Sequence, residues 1–170
     1  MPIFESPMNP DLFETGMGEL ILSRKMPNGE IAFSVFLIDA WCLGVKDCFY
    51  NFISKVQYDD LVKKVQTSHE MEHVHPACLR KIVESAVSYA DALGFKPHQD
   101  FTLGKLLLGD IESDLCPSQY QFGRDGKPFY VSGPNDTEAD SRKRVNQLHK
   151  VCGDGQYNYL INTGDPDGFF

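Results

Sequence analysis

The stretch Glu19–Leu43, ELILSRKMPNGEIAFSVFLIDAWCL, decides the fold of this chain. Both of its halves are rich in the apolar residues that favour strands, and the Asn28-Gly29 pair between them favours a tight hairpin turn. In the second half, apolar side chains alternate onto both faces of the strand. A strand of that kind is expected at the centre of a sheet that is covered on both sides. The sequence therefore predicts an antiparallel hairpin with a doubly covered return strand.

The spacing of apolar residues predicts helices in four places after the hairpin. The first begins near Tyr58. A stronger one follows Pro76, a residue favoured in a first turn, and ends at Gly94. A shorter helix is expected over 101–108, and the last is predicted to begin at a cap provided by Asp136.

The C-terminal part of the chain contains the signals of a second hairpin and of a last strand. QYQFG and PFYVS flank the turn RDGK within residues 119–132, and the Asp-Gly pair of that turn is typical of hairpins. YNYLI at 157–161 predicts a further short strand. This order of elements predicts an α+β fold, with a mostly antiparallel sheet built from two hairpins and three to four helices packed against it.

The domain organisation is expected to be simple. Residues 1–17 contain three prolines and no periodicity, which predicts an irregular lead-in. A single domain is expected over 18–162, because a chain of 170 residues with 42% hydrophobic and 24% charged residues is long enough for one core. Residues 163–170 are rich in Gly, Asp and Pro and are expected to form a flexible tail.

The charge of the chain restricts the class of partner. A formal net charge of −8 repels phosphate backbones and anionic membrane surfaces, which disfavours nucleic acid as a partner. No apolar run reaches the roughly 18 to 20 residues that a membrane span needs. We therefore expect a soluble protein, with no membrane association, whose partner is a protein or a small-molecule ligand.

The cysteines predict the compartment. They are five in number, contain no CxxC pair and follow no signal peptide. This pattern predicts reduced thiols and a cytoplasmic location. The five are Cys42, Cys48, Cys78, Cys116 and Cys152.

The segment SHEMEHVHPAC at 68–78 fits the zinc-hydrolase pattern H-E-x-x-H through His69, Glu70 and His73. Histidines four apart on a helix share a face and can bind one zinc ion, while the glutamate between them polarises a bound water. If the helix that begins near Tyr58 continued through this segment, the pattern would give a catalytic zinc site.

Two features of the same segment argue against a catalytic zinc site. Residues 67–70, TSHE, form a capping-box pattern that predicts a helix start, and Pro76 leaves about two turns of helix at most. The favoured interpretation is an exposed polar connector between helices. Adventitious metal binding stays open as an alternative. Its ligands would be His69, His73, His75 and Cys78.

Asp39 interrupts an apolar strand whose two faces are both expected to be buried. An ionised carboxylate there is costly unless it is paired, hydrogen-bonded or bound to a cation. One hypothesis is a catalytic site in which Asp39 and Asp47, with Lys46 and with Asp110 or Asp136, hold Mg²⁺ for phosphoester hydrolysis. The favoured alternative is a structural carboxylate at a strand end, which accepts hydrogen bonds from the backbone or from Lys46.

Three stretches together are similar to a known family: FLIDAWCLGVKD at 36–47, HPACLRKIVESAVSYADALGFKPHQDF at 75–101 and FGRDGKPFYVSGPND at 122–136. With them the chain resembles, over most of its length, a family of uncharacterised bacterial proteins. Some members carry a Cys-rich zinc-binding tail of the type found at the end of the secretion ATPase. The resemblance implies a bacterial cytosolic setting and brings no established activity, so no catalytic residue is carried over. This chain ends INTGDPDGFF, without cysteines, so the zinc site of the tailed members is not expected here.

The sequence leaves two hypotheses for function. The leading one is an intracellular α+β domain that acts by binding, as an interaction or regulatory module, and requires no cofactor. For the aromatic residues Trp41, Phe49, Tyr50 and Phe52, core packing is favoured, and an aromatic ligand cleft is the alternative. The second hypothesis is a metal-dependent hydrolase, which would be a magnesium phosphoesterase or nuclease around Asp39 or a zinc hydrolase at HEMEH.

Overall fold

The computed structural model describes residues 1–162 of the chain. In these residues the chain forms eight strands and five α-helices. In chain order they are β1 (Ile3–Glu5), β2 (Pro7–Met8), α1 (Leu12–Thr15), β3 (Met17–Lys25), β4 (Ile31–Asp39), β5 (Gly44–Ile53), α2 (Lys55–Ser68), β6 (Glu72–His73), α3 (Pro76–Ala92), α4 (Phe101–Gly104), β7 (Phe129–Val131), α5 (Glu138–Cys152) and β8 (Asn158–Leu160). The predicted α+β class is confirmed.

The main sheet within residues 1–162 has six antiparallel strands, in the order β5-β4-β3-β2-β6, with β1 also paired to β3. β3 and β4 form the predicted hairpin, in one register from Met17 opposite Asp39 to Lys25 opposite Ile31. Gly29 in the turn has a φ of 87°, which glycine adopts without strain. The predicted first hairpin and the central position of its return strand are confirmed.

The return strand ends earlier than the sequence predicts. β4 stops at Asp39, the chain turns back over residues 40–43, and β5 then pairs with β4 along its length. Gly44 begins β5 with a φ of 71°, and its missing side chain lets it lie against the backbone of Ala86 in α3. The apolar run Ala40–Leu43 therefore forms a turn, buried except for the half-buried Trp41, although its composition is that of a strand.

The prediction that residues 1–17 are irregular is wrong. β1 and β2 both pair with β3, and β2 also pairs with β6. Between β2 and β3 the single turn α1 places Leu12 in the core, fully buried. Strands of two or three residues are too short for apolar alternation to be visible in a sequence, which is why they were missed.

Helices cover both faces of the six-stranded sheet. On one face α2 packs Tyr58 against the cluster of Ile21, Ile31 and Phe33. On the other face α3 and α4 pack against β3, β4 and β5. The buried residues of α3 are Ala77, Cys78, Leu79, Ile82, Val83, Ala86 and Ala90. Each large side chain buried in this way stabilises the fold by about 1.5 to 3 kcal/mol, so the two faces together supply most of the driving force for folding.

The predicted second hairpin is wrong. Within the described residues the RDGK turn forms an isolated bridge between Arg124 and Lys127, and β7 pairs with β8 in parallel to make a separate two-stranded sheet. Thr137 caps α5 in a capping box with Asp140, so the cap is one residue later than the predicted Asp136. Tyr130, the central residue of β7, is fully buried in a cluster with Leu148 of α5, and this contact holds the strand in place.

In the part of the chain that the structure covers, residues 1–162, the helices are all too short or too polar to span a membrane. The predicted flexible tail at 163–170 lies outside the described residues.

Candidate functional site

Asp39 is buried, and the turn that follows β4 closes around its carboxylate. Oδ1 accepts hydrogen bonds from the backbone N–H groups of Trp41 and Cys42, at 3.0 and 3.1 Å. Oδ2 accepts one from the N–H of Leu43 at 3.1 Å. These donors satisfy a group that would otherwise be costly to bury, so the carboxylate organises the turn.

Burial raises the pKa of Asp39 to about 6, against the opposing effect of the backbone donors and of the nearby Lys46 ammonium. Since the desolvation outweighs those favourable contacts, the carboxyl group takes up a proton in mildly acidic solution. The arrangement agrees with the favoured interpretation of the sequence, a structural carboxylate at a strand end.

The two other residues of the predicted catalytic site have different neighbours. Asp47 is exposed, accepts a hydrogen bond from the N–H of Cys48 at 2.7 Å and lies 3.6 Å from the Nε2 atom of His98. Lys46 extends its ammonium towards the loop at Gly133, where a Cβ atom would come within 2.8 Å of Nζ. Three separate sets of contacts therefore hold the residues predicted to be catalytic.

Asp110 and Asp136 each pair with an arginine. Asp110 is exposed and pairs with Arg24 at 3.1 Å. Asp136 pairs with Arg144 at 2.8 Å and accepts a hydrogen bond from the Tyr130 hydroxyl at 2.8 Å. Burial opposes the ionisation of Asp136, but the N–H of Gly133 together with these two side chains lowers its pKa to about 2. Within residues 1–162 no group of three or more His, Cys, Asp or Glu side chains is placed to hold a metal ion, and so the predicted carboxylates do not form a ligand set.

The HEMEH segment does not form the helix that a zinc hydrolase needs. α2 ends at Ser68, and His69 follows it in extended conformation with a φ of −144°. Glu72 and His73 form β6, which pairs with β2, and the side chain of Asn9 donates to the backbone oxygen of Glu70 at 2.9 Å. Because the backbone of this segment is held at the sheet edge, the predicted helix start at 67–70 is also wrong.

The prediction of five reduced thiols is wrong, because Cys78 and Cys116 form a disulfide across a separation of 38 residues. The sequence could not show this pairing, since no spacing rule links two such distant cysteines. Lys81 of α3 also donates to the backbone oxygens of Cys116 and Ser118, at 3.2 and 2.6 Å. The start of the segment after Cys116 is therefore fixed to α3. Because Cys78 is in the disulfide, it has no thiolate that could bind a metal.

An aromatic cleft lies beside the Asp39 turn. Trp41 projects from this turn and packs on Gly16, which has no side chain to obstruct the indole. The N–H of Gly123 donates to the Ala40 oxygen at 2.8 Å, and the N–H of Phe129 donates to the Trp41 oxygen at 3.0 Å, so residues 123–129 are tied to the turn. The resulting open cleft has a volume of about 1090 Å³.

Five half-buried aromatic side chains line this cleft. Phe13 stacks on Tyr120 with ring centroids 5.3 Å apart and contacts Phe122 edge-on at 5.6 Å. Tyr89 of α3 stacks on Phe122 at 5.6 Å. These four rings form a continuous apolar wall in which each ring contacts another. Trp41, the fifth ring of the lining, contacts Phe129 edge-on at 5.6 Å instead.

Polar groups surround the aromatic wall. The guanidinium group of Arg124 lies 5.2 Å from the ring centroids of both Trp41 and Phe129, in cation–π geometry. The remaining polar side chains on the cleft are Glu14, Gln119, Gln121 and Asp125. The sequence indicates a cleft only as the alternative for Trp41, and it predicts a strand for QYQF at 119–122. In QYQF, amide and aromatic side chains alternate, and a strand and a cleft wall can both have this pattern.

No protein-family model matches this chain, and no curated protein or solved structure is significantly similar to it.

Proposed function

We propose that this protein is a ligand-binding domain whose aromatic cleft takes a small organic ligand with at least one flat ring or sugar-like face. The observation that carries the proposal is the lining of an open cleft of about 1090 Å³ by five half-buried aromatic rings. Small-molecule sites are clefts of roughly 300 to 1,000 Å³, lined by apolar and aromatic groups with a few polar groups that fix orientation. The proposal requires no metal and no cofactor.

The polar groups at the cleft narrow the chemistry of the ligand. The two amides, Gln119 and Gln121, offer both donors and acceptors, and Arg124 offers donors on a stacked guanidinium. Glu14 and Asp125 carry negative charge at the same site, in a chain of net charge −8. A neutral ligand with hydroxyl or amide groups fits this set better than a polyanion.

Fluorescence tests the proposal directly, because Trp41 is the single tryptophan of the chain. Titration with a panel of aromatic amino acids, nucleosides and short oligosaccharides should change the emission of Trp41 for at least one probe. Phe122→Ala removes a ring that contacts both Phe13 and Tyr89 and should weaken that binding about fivefold, since ring contacts of this kind contribute on the order of 1 kcal/mol.

Phe49→Ala is the matched control, because it removes an exposed ring of β5 outside the cleft. It should leave the affinity unchanged. A panel in which no probe alters the Trp41 emission, or a probe that binds the Phe122→Ala variant as well as the natural chain, would exclude the cleft as the binding site.

Three other expectations stay predictions. Membership of the uncharacterised bacterial family rests on the resemblance of sequence. A cytoplasmic location was expected from reduced thiols, and the Cys78–Cys116 disulfide favours an oxidising compartment instead. The metal-dependent hydrolase hypothesis has no ligand set in residues 1–162, where neither Asp39 nor His69 belongs to a group that could hold a metal.

A further inference from the structure

β5 is an edge strand of the main sheet. Near its start, the backbone oxygen of Val45 accepts a hydrogen bond from the N–H of His98 at 2.9 Å. From Asp47 to Ile53, no strand among residues 1–162 pairs with the side of β5 that faces away from β4. This half of the strand therefore presents a free sheet edge.

The backbone groups on this edge can be identified from their bonds. The N–H of Cys48 donates to the carboxylate of Asp47 at 2.7 Å, and the N–H of Phe52 donates to the side-chain oxygen of Asn51 at 2.8 Å. Both groups thus point away from β4. Because a strand alternates, the N–H and C=O of Tyr50 point the same way.

Exposed apolar side chains concentrate at the same edge. Tyr50, Phe52, Leu103 and Leu106 surround a cavity of about 280 Å³ on one face of the sheet. Residues 48–54, CFYNFIS, contain no charge and no proline, which are the usual protections of an edge strand. The exposed large apolar residues of this region are Met1, Phe49, Tyr50, Phe52, Val56, Leu103 and Leu106.

We infer that the free edge of β5 pairs with the β5 edge of a second copy of this chain, antiparallel and around a two-fold axis at Asn51. In this register Tyr50 lies opposite Phe52 of the second copy, and Phe49 lies opposite Ile53 of the second copy. Aromatic and other apolar pairs across antiparallel strands stabilise a sheet. The edge is therefore complementary to itself, which a two-fold interface requires.

A shift of the axis by one residue loses this complementarity. With the axis at Tyr50, Asp47 would face the apolar Ile53 of the second copy, and Phe49 would face Asn51. Apolar side chains would then lie opposite polar ones. The axis at Asn51 is accordingly the register that we assign.

The exposed apolar area at this edge is sufficient for a stable dimer. Side chains of this size that are about half exposed offer roughly 100 Å² each, so the seven exposed residues of this edge supply about 700 Å² per copy. A standard interface buries about 800 Å² per partner. Pairing also lets the Tyr50 N–H donate to the Phe52 oxygen of the second copy. The Phe52 N–H exchanges its bond to the Asn51 side chain for one to the Tyr50 oxygen, and the two sheets become one of twelve strands.

Sedimentation equilibrium at about 100 μM, far above a micromolar dissociation constant, should give the mass of a dimer. Phe52→Glu places two carboxylates beside the rings at the centre of the interface and should raise the dissociation constant at least 100-fold. Val151→Glu is the matched control, since Val151 is an exposed apolar residue on α5. Its mass should stay that of a dimer, and thermal melts check that both variants fold.

Cross-linking tests the register itself. In a Cys152→Ser background, Asn51→Cys should form an intermolecular disulfide under mild oxidation, because facing residues of a non-hydrogen-bonded pair have Cα atoms about 4.5 Å apart. Asn28→Cys, on the exposed turn before β4, should cross-link far more slowly. A monomer at about 100 μM overturns the inference and leaves the edge to a different partner. A dimer that survives Phe52→Glu, or equal cross-linking rates at residues 28 and 51, also overturns it.

Discussion

Asp39 is a buried carboxyl group whose pKa burial raises from 3.8 to about 6. Because this pKa is higher in the folded protein, the folded state holds the proton more tightly than the unfolded state does. The contribution to stability is complete below about pH 3.8 and is lost as the pH rises through 6. The rise corresponds to on the order of 3 kcal/mol. In the variant Asp39→Asn this pH dependence should be absent.

The measurement is the free energy of unfolding in urea at about pH 4 and about pH 7 for both proteins, since the difference between them isolates Asp39 from the other carboxylates. The Asn side chain keeps one acceptor oxygen but turns its amide group towards a backbone N–H, so a constant loss of about 1 to 3 kcal/mol is expected at every pH. Asp154→Asn, on an exposed loop, controls for the loss of one negative charge. Parallel pH curves for Asp39→Asn and the natural chain would contradict the raised pKa.

Gly16 supports the cleft by lacking a side chain. It has a φ of 83°, and a Cβ atom at this position would collide with the indole of Trp41. Gly16→Ala should cost stability through both effects and should move the indole, which acrylamide quenching of the tryptophan fluorescence reports. Gly29→Ala is the matched control, because Gly29 has a similar φ of 87° with nothing within 4 Å of the added atom. If Gly16→Ala and Gly29→Ala lose the same stability, and acrylamide quenching of Trp41 is unchanged in both, the contact between residue 16 and Trp41 has no effect on stability.

The importance of single residues could be predicted from the sequence only in part. Asp39 could be singled out because an acid in an apolar strand needs compensation. The hydrogen-bond donors to Asp39 could not be predicted, because they are backbone N–H groups, which no pattern of side chains reveals. The aromatic wall was hidden for a similar reason. Phe13, Tyr89 and Phe122 lie more than 30 residues apart in sequence, and only the folded chain brings their rings together.

At the scale of elements, the Cys78–Cys116 disulfide joins α3 to the segment that continues into the cleft wall. It closes a loop with a sequence separation of 38 residues, for which the loss of unfolded-chain entropy predicts about 4 kcal/mol of stability. Replacing both cysteines by serine should therefore lower the free energy of unfolding by about 4 kcal/mol. Residues 113–122 should also exchange their amide hydrogens faster, because one of their anchors is gone.

Cys152→Ser is the control for the disulfide, since Cys152 is a free thiol on α5. This variant should change the free energy of unfolding by less than about 0.5 kcal/mol. The amide hydrogen exchange of residues 113–122 should stay the same. The mass of the natural protein without reductant should be two hydrogens below the fully reduced mass. Five free thiols by titration in denaturant would show that the pair is open in solution.

The elements themselves differ in how well the sequence predicts them. α3 and the β3–β4 hairpin were predicted correctly, because long periodic segments and an Asn-Gly turn are local signals. β5 was missed, since the apolar run before it hides the turn at residues 40–43. The predicted partner of β7 is wrong, because β8 lies beyond the whole of α5 in the sequence and a pairing over that distance gives no local signal.

At the scale of the whole molecule, the cleft and the β5 edge lie at opposite ends of β4. Trp41 follows the end of β4 at Asp39, whereas Asn51 on β5 pairs with Phe33, six residues earlier in β4. At about 3.4 Å per residue the two sites are separated by roughly 20 Å along the strand. A dimer formed through β5 would therefore keep both clefts open, and ligand binding and dimerisation should be independent.

The net charge of the whole molecule should govern the strength of the inferred dimer. Two copies bring together formal charges of −8 each, and this repulsion is long-ranged at low ionic strength. Salt screens it over about 10 Å at 0.1 M, whereas the apolar contacts at β5 do not depend on screening. The dissociation constant measured by sedimentation should fall several-fold from about 20 to about 300 mM NaCl. A dimer that weakens steadily with salt would show instead that ion pairs hold it together.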